Sequence, residues 1–150
     1  MKISLKSLSL SAFILCGFFS KECAGMDFMD YVRAKGHPVF AAHSRNDRAR
    51  VMQYLEEDSS SSVIAINGVG ESILYDATSR NDAEMVTKIL RLLPLFTVDQ
   101  QKSLFETQPV VPGFKGPSLL TRIQNEDCPI NAEIKEQLLN YWNALISSVK

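Results

Sequence analysis

Apolar and polar positions recur along this chain at a spacing of 35 residues. Residues 44–47 (Ser-Arg-Asn-Asp) return as residues 79–82. The flanking positions agree in the same register, the matched pairs being Val39 with Leu74, Phe40 with Tyr75, Ala42 with Ala77, Val51 with Val86, and Leu55 with Leu90. Because the match extends into both flanks, it indicates an internal repeat, the signature of architectures built from stacked units.

Each repeat predicts two antiparallel helices joined by a tight turn. In the second unit, Ser72 caps a short helix over residues 73–80. Asn81 ends this helix because asparagine tolerates the left-handed conformation. Asp82 caps the next helix, whose apolar residues recur at spacings of three and four, and Pro94 stops it. The first unit has Pro38, Asn46 and Asp47 in the corresponding places.

A third and weaker copy follows. Residues 116–120 align with residues 70–74, and residues 132–139 align with residues 83–90. The two offsets, 46 and 49, differ, so this copy contains a longer loop. The other predictions are a strand-like run over 63–66 before an Asn67-Gly68 turn, a helix over 97–105 capped by Thr97, a loop over 108–116, a final helix from Ala132 to about Val149 capped by Asn131, and an N-terminal capping helix over 26–35.

The first 25 residues are typical of a secretory signal peptide. Lys2 and Lys6 precede an uncharged apolar run over residues 8–19, which small and polar residues follow. The run has 12 residues, whereas crossing a bilayer takes about 20, so no permanent membrane anchor is predicted. We expect cleavage after Gly25 and an exported chain, periplasmic or secreted. Alternative interpretations are a lipoprotein, which a missing lipobox disfavours, and a buried N-terminal helix.

The cysteines depend on the cleavage site. Cleavage after Gly25 removes Cys16 and Cys23 and leaves Cys128 without an internal disulfide partner. Cleavage upstream of Cys23 leaves a Cys23–Cys128 bridge open. We interpret Cys128 as a small buried apolar residue and not as a nucleophile. The absence of an Asn-x-Ser/Thr sequon favours a bacterial envelope or secreted protein.

Composition and motifs contain no sign of catalysis or of nucleic-acid binding. A net charge of −1 excludes a polybasic nucleic-acid binder, and an apolar content of 45% supplies a core for one domain. His37 and His43 are six residues apart with no evident third ligand, unlike zinc-binding helix pairs. The glycines near Asn67 lack the Lys-Ser/Thr of a phosphate-binding loop. We predict no enzyme, no cofactor and no metal.

These repeats resemble the ankyrin family, whose unit of about 33 residues contains a turn, two helices and a Thr-Pro-Leu-His-x-Ala signature. The corresponding segments read His-Pro-Val-Phe-Ala-Ala over 37–42 and Ser-Ile-Leu-Tyr-Asp-Ala over 72–77. Phe40 and Tyr75 replace the signature histidine, and Ile73 replaces the proline. The resemblance covers residues 36–93 well and 116–140 poorly. It implies an all-α stack of about three repeats over residues 36–150. An unrelated all-α domain with an internal duplication is the alternative.

The resemblance also implies a concave face that binds a protein partner. The residues that the resemblance places in contact with the partner are Ser44, Arg45, Val69, Glu71, Ser79 and Arg80. Arg45 and Arg80, one repeat apart, would lie about 10 Å from each other, and both could bind carboxylates. We therefore predict an exported protein–protein interaction module. The alternatives are a small envelope enzyme or ligand-binding domain, which a deep polar pocket would favour, and a structural subunit of an envelope assembly.

Overall fold

The chain is an all-α protein in the part that its structure, a computed structural model, describes: residues 35–111 and 114–148. The helices of this part are α1 Pro38–Ser44, α2 Arg48–Glu57, α3 Ser59–Ser62, α4 Ile73–Ser79, α5 Ala83–Leu92, α6 Val98–Glu106, α7 Leu119–Gln124 and α8 Ala132–Ser147. A 3-10 turn, Leu93–Leu95, follows α5 directly. The antiparallel strands β1 Val110–Val111 and β2 Phe114–Lys115 form a small hairpin between α6 and α7.

The junction between α1 and α2 is a left-handed turn stabilised by four hydrogen bonds. Asn46 has a φ of 56°. Its N–H donates to the carbonyl of His43 over 3.0 Å, and the N–H of Asp47 donates to the carbonyl of Ala42 over 2.9 Å. These two bonds define a Schellman helix end. The Asp47 carboxylate then accepts the N–H of Arg50 over 3.1 Å, while its own carbonyl begins the α2 ladder.

The same junction joins α4 to α5, 35 residues later. Asn81 has a φ of 55°, and the N–H of Asp82 donates to the carbonyl of Ala77 over 3.0 Å. The Asp82 carboxylate accepts the N–H of Met85 over 3.1 Å. Both helices of this pair begin 35 residues after their counterparts. The predicted helix–turn–helix units, with their Asn breakers and Asp caps, are confirmed.

Successive helix pairs contact each other through side chains of the second helix in each pair. Arg48 on α2 forms ion pairs with Asp82 at 2.6 Å and with Glu84 at 3.1 Å, and Lys88 on α5 bonds Glu56 at 2.7 Å. These pairs are partly exposed, so each contributes well under about 1 kcal/mol. On the far side of α5, the hydroxyl of Thr87 lies 3.0 Å from Oε1 of Gln137 on α8.

The core runs continuously through the helix pairs α1/α2, α4/α5 and α7/α8 and through α6. Its fully buried large side chains are Phe40, Leu55, Ile73, Leu74, Met85, Ile89, Leu93, Phe105, Leu119, Ile123, Ile134 and Leu138. The apolar face predicted for α5 is therefore buried, as the spacing of three and four indicated. Phe105 on α6 packs against both Tyr141 and Trp142 of α8, with ring centroids 6.2 and 5.3 Å away. The helix α6, which lies between the second and third helix pairs in the chain, is therefore part of the core.

Two loop predictions are corrected. No strand forms over residues 63–66: the Ser-rich stretch begins the helical turn α3, the N–H of Ala65 still donates to the carbonyl of Ser61, and only Ile66 pairs, in a single bridge to Ser72. Local hydrogen bonds here outweigh the β-propensity of the branched residues. The predicted loop over 108–116 contains β1 and β2, which pair with each other, and the N–H of Val110 also donates to the carbonyl of Val69.

The remaining caps agree with the sequence. Thr97 caps α6 and forms a full capping box with Gln100, and Asn131 caps α8, which extends to Ser147. The predicted signal peptide, and the capping helix over 26–35 apart from Lys35, lie outside the described residues. Within residues 35–111 and 114–148, no helix has the length and hydropathy needed to cross a bilayer.

We predict that the two junction asparagines respond differently to substitution. Asn46→Ala should lower the free energy of unfolding by about 1 kcal/mol, because a Cβ without a polar side chain is strained in the left-handed region. Asn46→Gly should change it by less than about 0.5 kcal/mol. Urea denaturation measures both, and equal losses for the two variants would contradict the strain argument.

Asn81→Gly should destabilise the chain even though glycine accepts the same φ. The Asn81 amide also accepts the N–H of Asn131 over 2.7 Å and so ties this turn to the start of α8. Its removal should cost about 1 kcal/mol, the usual contribution of such a bond. A denaturation midpoint equal to that of Asn46→Gly would show that the bond contributes nothing.

Candidate functional site

The first helices of the three pairs, α1, α4 and α7, lie side by side and are connected by polar side chains. Nδ1 of His43 on α1 lies 2.7 Å from Oδ2 of Asp76 on α4. On the other side of α4, the Tyr75 hydroxyl donates to the carbonyl of Pro117 over 3.3 Å, and Arg122 on α7 donates to the Ser79 hydroxyl. We call the surface formed by Arg45, Tyr75, Ser79, Arg80 and Arg122 the inner-helix face.

A buried carboxylate connects α1 to α4 beneath this face. Asp76 is only 3% exposed, and it accepts hydrogen bonds from His43 and, over 3.1 Å, from Nε of Arg80. Burial by itself would raise the pKa of Asp76. The hydrogen bonds and charges of His43 and Arg80 outweigh burial and hold this pKa below its usual value. Asp76 is therefore a paired, ionised carboxylate between two helices.

The two arginines that the repeat makes equivalent have different surroundings. Arg80 is held by Asp76, four residues earlier on the same helix, and its side chain is 34% exposed. Arg45 has Ala41 at the corresponding position, so it has no carboxylate there. Its exposed side chain lines an open groove of about 340 Å³, together with Tyr54, and forms no ion pair with any described residue. Arg45 is thus the more available of the two for a partner.

Arg122 is a residue of this face that the sequence analysis missed. Its guanidinium carbon lies 5.0 Å from the centroid of the Tyr75 ring, within the range of a cation–π contact. Burial would lower the pKa of Arg122, but interactions with Cys128 and Tyr75 raise it overall. In the third copy predicted from the sequence, Arg122 aligns with Asp76. This alignment could have identified Arg122 from the sequence. It did not, because the aligned residue is an aspartate and not an arginine.

The other candidate residues point inward. Val69 and Glu71 are 2% and 8% exposed, and both donate their N–H groups to Oδ1 of Asn67, which shapes the loop before α4. The Ser44 hydroxyl is buried without a hydrogen-bond partner among the described residues. Of the six predicted positions, the structure therefore exposes Arg45, Ser79 and Arg80.

Three depressions on the described part of the chain are small or open to solvent. The groove beside Arg45 has a counterpart of about 360 Å³ on the second helices, lined by Met52, Lys88 and Arg91 among others, and a smaller cavity of about 100 Å³ adjoins Tyr75. Within residues 35–111 and 114–148, no group of three or more His, Cys, Asp or Glu side chains is placed to hold a metal ion.

Comparisons with protein-family models, with curated proteins and with solved structures find no match to this chain.

We predict that Asp76 makes the fold sensitive to acid. The pKa of Asp76 is lower in the folded state than in the unfolded state, where it is about 4. The ionised carboxylate therefore stabilises the fold above about pH 4, and this stabilisation is lost as the pH falls through the folded-state pKa. At pH 7, Asp76→Asn should cost about 3 kcal/mol by leaving His43 and Arg80 without their carboxylate. The difference between wild type and variant should shrink below about pH 4.

Chemical denaturation at a series of pH values measures this effect. Asp127→Asn is the matched control, since Asp127 is exposed and its side chain has no described partner, so its stability profile should follow that of the wild type. A constant difference between Asp76→Asn and wild type from pH 7 to pH 2 would show that the ionised pair does not stabilise the fold.

Proposed function

We propose that this chain is an exported protein–protein interaction module of ankyrin-repeat type, which binds a protein partner through the inner-helix face. The observation that carries the proposal is the repeated helix pair. Two pairs with the same helix lengths, a left-handed asparagine at the same position and an aspartate cap after it occur 35 residues apart. A repeat of this kind arranges first helices in a row, and such rows serve as extended binding surfaces in solenoid proteins.

The shape of the described surface favours a binding module over a pocket enzyme. The grooves of about 340 and 360 Å³ are open and lined by side chains of mixed character. Enzyme and cofactor sites are usually enclosed and contain a few converging polar groups. The polar groups that do converge, His43, Asp76 and Arg80, are used to connect two helices.

The charge of the face favours a partner with carboxylates. Arg45, Arg80 and Arg122 contribute one guanidinium from each helix pair, and Asp76, the carboxylate beneath them, is already paired. Guanidinium groups bind carboxylates in a bidentate manner, with more geometric specificity than lysine provides. Export rests on the sequence of residues 1–25 and places the partner in the envelope or outside the cell.

Charge reversal at Arg45 tests the proposal. We expect Arg45→Glu to weaken retention of the partner at least about tenfold in affinity capture from envelope and culture-medium extracts, because a rim contact becomes repulsive. Arg91→Glu is the matched control, because Arg91 is exposed like Arg45 but lies on α5, in the groove of the second helices. Arg80→Glu is unsuitable because it would also break the Asp76 pair.

The outcomes separate the functions under consideration. A protein retained by wild type and by Arg91→Glu, and lost by Arg45→Glu, supports a binding module that uses this face. Equal retention by all three, with circular dichroism showing equal helicity, would remove Arg45 and the face from the proposal. A well-folded bait that retains no protein at all would contradict the binding function itself.

A further inference from the structure

A small cavity adjoins the inner-helix face between the loop before α4, the helix α4 and the helix α6. Its volume is about 100 Å³, and Ile64, Ile66, Tyr75 and Leu104 form much of its wall. At about 30 Å³ each, three water molecules would fill this volume, as would one aliphatic side chain.

The polar side chains around the cavity have partners already. Oε1 of Gln100 accepts from Thr97 in the capping box, and the hydroxyl of Ser103 is bonded to Thr107 at 3.2 Å. The Ser72 hydroxyl accepts the N–H of Tyr75 as the cap of α4. Each of these oxygens already takes part in a hydrogen bond, and most of the wall is apolar, which favours an apolar occupant. The cavity is suited to an apolar group.

Exposed apolar side chains gather at the rim of this cavity. Among the described residues, five large apolar side chains are exposed, and three of them are Ile64 and Ile66, which line the cavity, and Val110 at the start of β1. Ile66 is 57% exposed and Val110 is 55% exposed. The N–H of Val110 donates to the carbonyl of Val69, in the loop that follows Ile66, so the three side chains lie in one area. Clustered apolar side chains of this kind mark interaction sites.

A guanidinium lies over the same aromatic ring. The Tyr75 ring lines the cavity, and Arg122 lies 5.0 Å from its centroid. Arg122 donates to the Ser79 hydroxyl and forms no ion pair with a carboxylate of the described residues. Both the cavity and Arg122 adjoin the Tyr75 ring, so an apolar position and a cationic position are close neighbours on this face.

We propose that Ile66, Tyr75, Leu104 and Arg122 form a subsite for a partner segment that carries an aliphatic side chain and a carboxylate side chain within a few residues of each other. The aliphatic group enters the cavity, and the carboxylate accepts hydrogen bonds from Arg122. Because both positions adjoin one aromatic ring, a segment of a few residues, each advancing about 3.3 Å when extended, is long enough to reach both. This inference rests on the proposed function, because it names the chemistry of the partner at the same face.

Titration of the ¹⁵N-labelled full chain with short peptides tests the subsite by NMR. The probes are acetyl-Leu-Xaa-Glu-amide peptides in which Xaa is zero, one or two glycines. One control replaces Glu by Gln, and another replaces Leu by Ser. We expect amide shifts confined to the surroundings of Ile66, Tyr75 and Leu104, with at least one Glu peptide binding about fivefold or more tightly than its Gln and Ser counterparts. Arg122→Gln should abolish the preference for Glu, and Arg91→Gln should retain it.

Because the peptide controls act on the wild-type chain, the proposal can be tested even if Arg122→Gln does not fold. Equal binding of the Glu and Gln peptides, or shifts located elsewhere, would overturn it. Absent shifts accompanied by a dimer in sedimentation experiments would also overturn it, since a second copy would then cover the cavity. None of these outcomes affects capture that depends on Arg45, so failure of the subsite and failure of the binding function are distinguishable.

Discussion

The left-handed asparagine between two short helices is the constraint on which this structure depends. Helices of seven and ten residues, such as α1 and α2, are too short to be stable alone in water. At Asn46 and Asn81 the chain reverses within a few residues, and the next aspartate caps the following helix at once. Each pair thus presents two apolar faces in a fixed relation, and the core can form only by packing one pair against the next.

The first two helix pairs share the same turn, whereas the side chains that connect the first helices differ from pair to pair. One position of the first helices is Ala41 in the first pair, Asp76 in the second and Arg122 in the third. Asp76 connects α4 to His43 on α1, and Arg122 connects α7 to Ser79 on α4. The same geometrical position therefore links each helix to the one before it, with a different chemistry at each step. This difference also gives Arg45 and Arg80 unequal surroundings. We therefore propose that Arg45 binds the partner, whereas Arg80 stabilises the fold through Asp76.

Much of the fold was predictable because its signals are local. Caps act within three residues, a left-handed turn depends on one residue, and a helical face recurs every three or four residues, so Thr97, Asn131 and the junction residues were all placed correctly. Where local signals conflict or the partner is distant, the prediction was wrong. The branched residues after α3 favoured a strand, but helical hydrogen bonds and the burial of Val63 prevailed.

The sequence by itself determined the 35-residue repeat, the four helices of its first two copies and their turns, because each of these follows from neighbours in the chain. Only the tertiary structure decided which candidate side chains are exposed. Val69 and Glu71 turn inward because Asn67 binds their N–H groups, and β1 is hydrogen-bonded to Val69, some forty residues earlier. Likewise, Arg122 reaches the Tyr75 ring only because α7 packs beside α4. Contacts of this kind join residues far apart in the chain, and no local pattern records them.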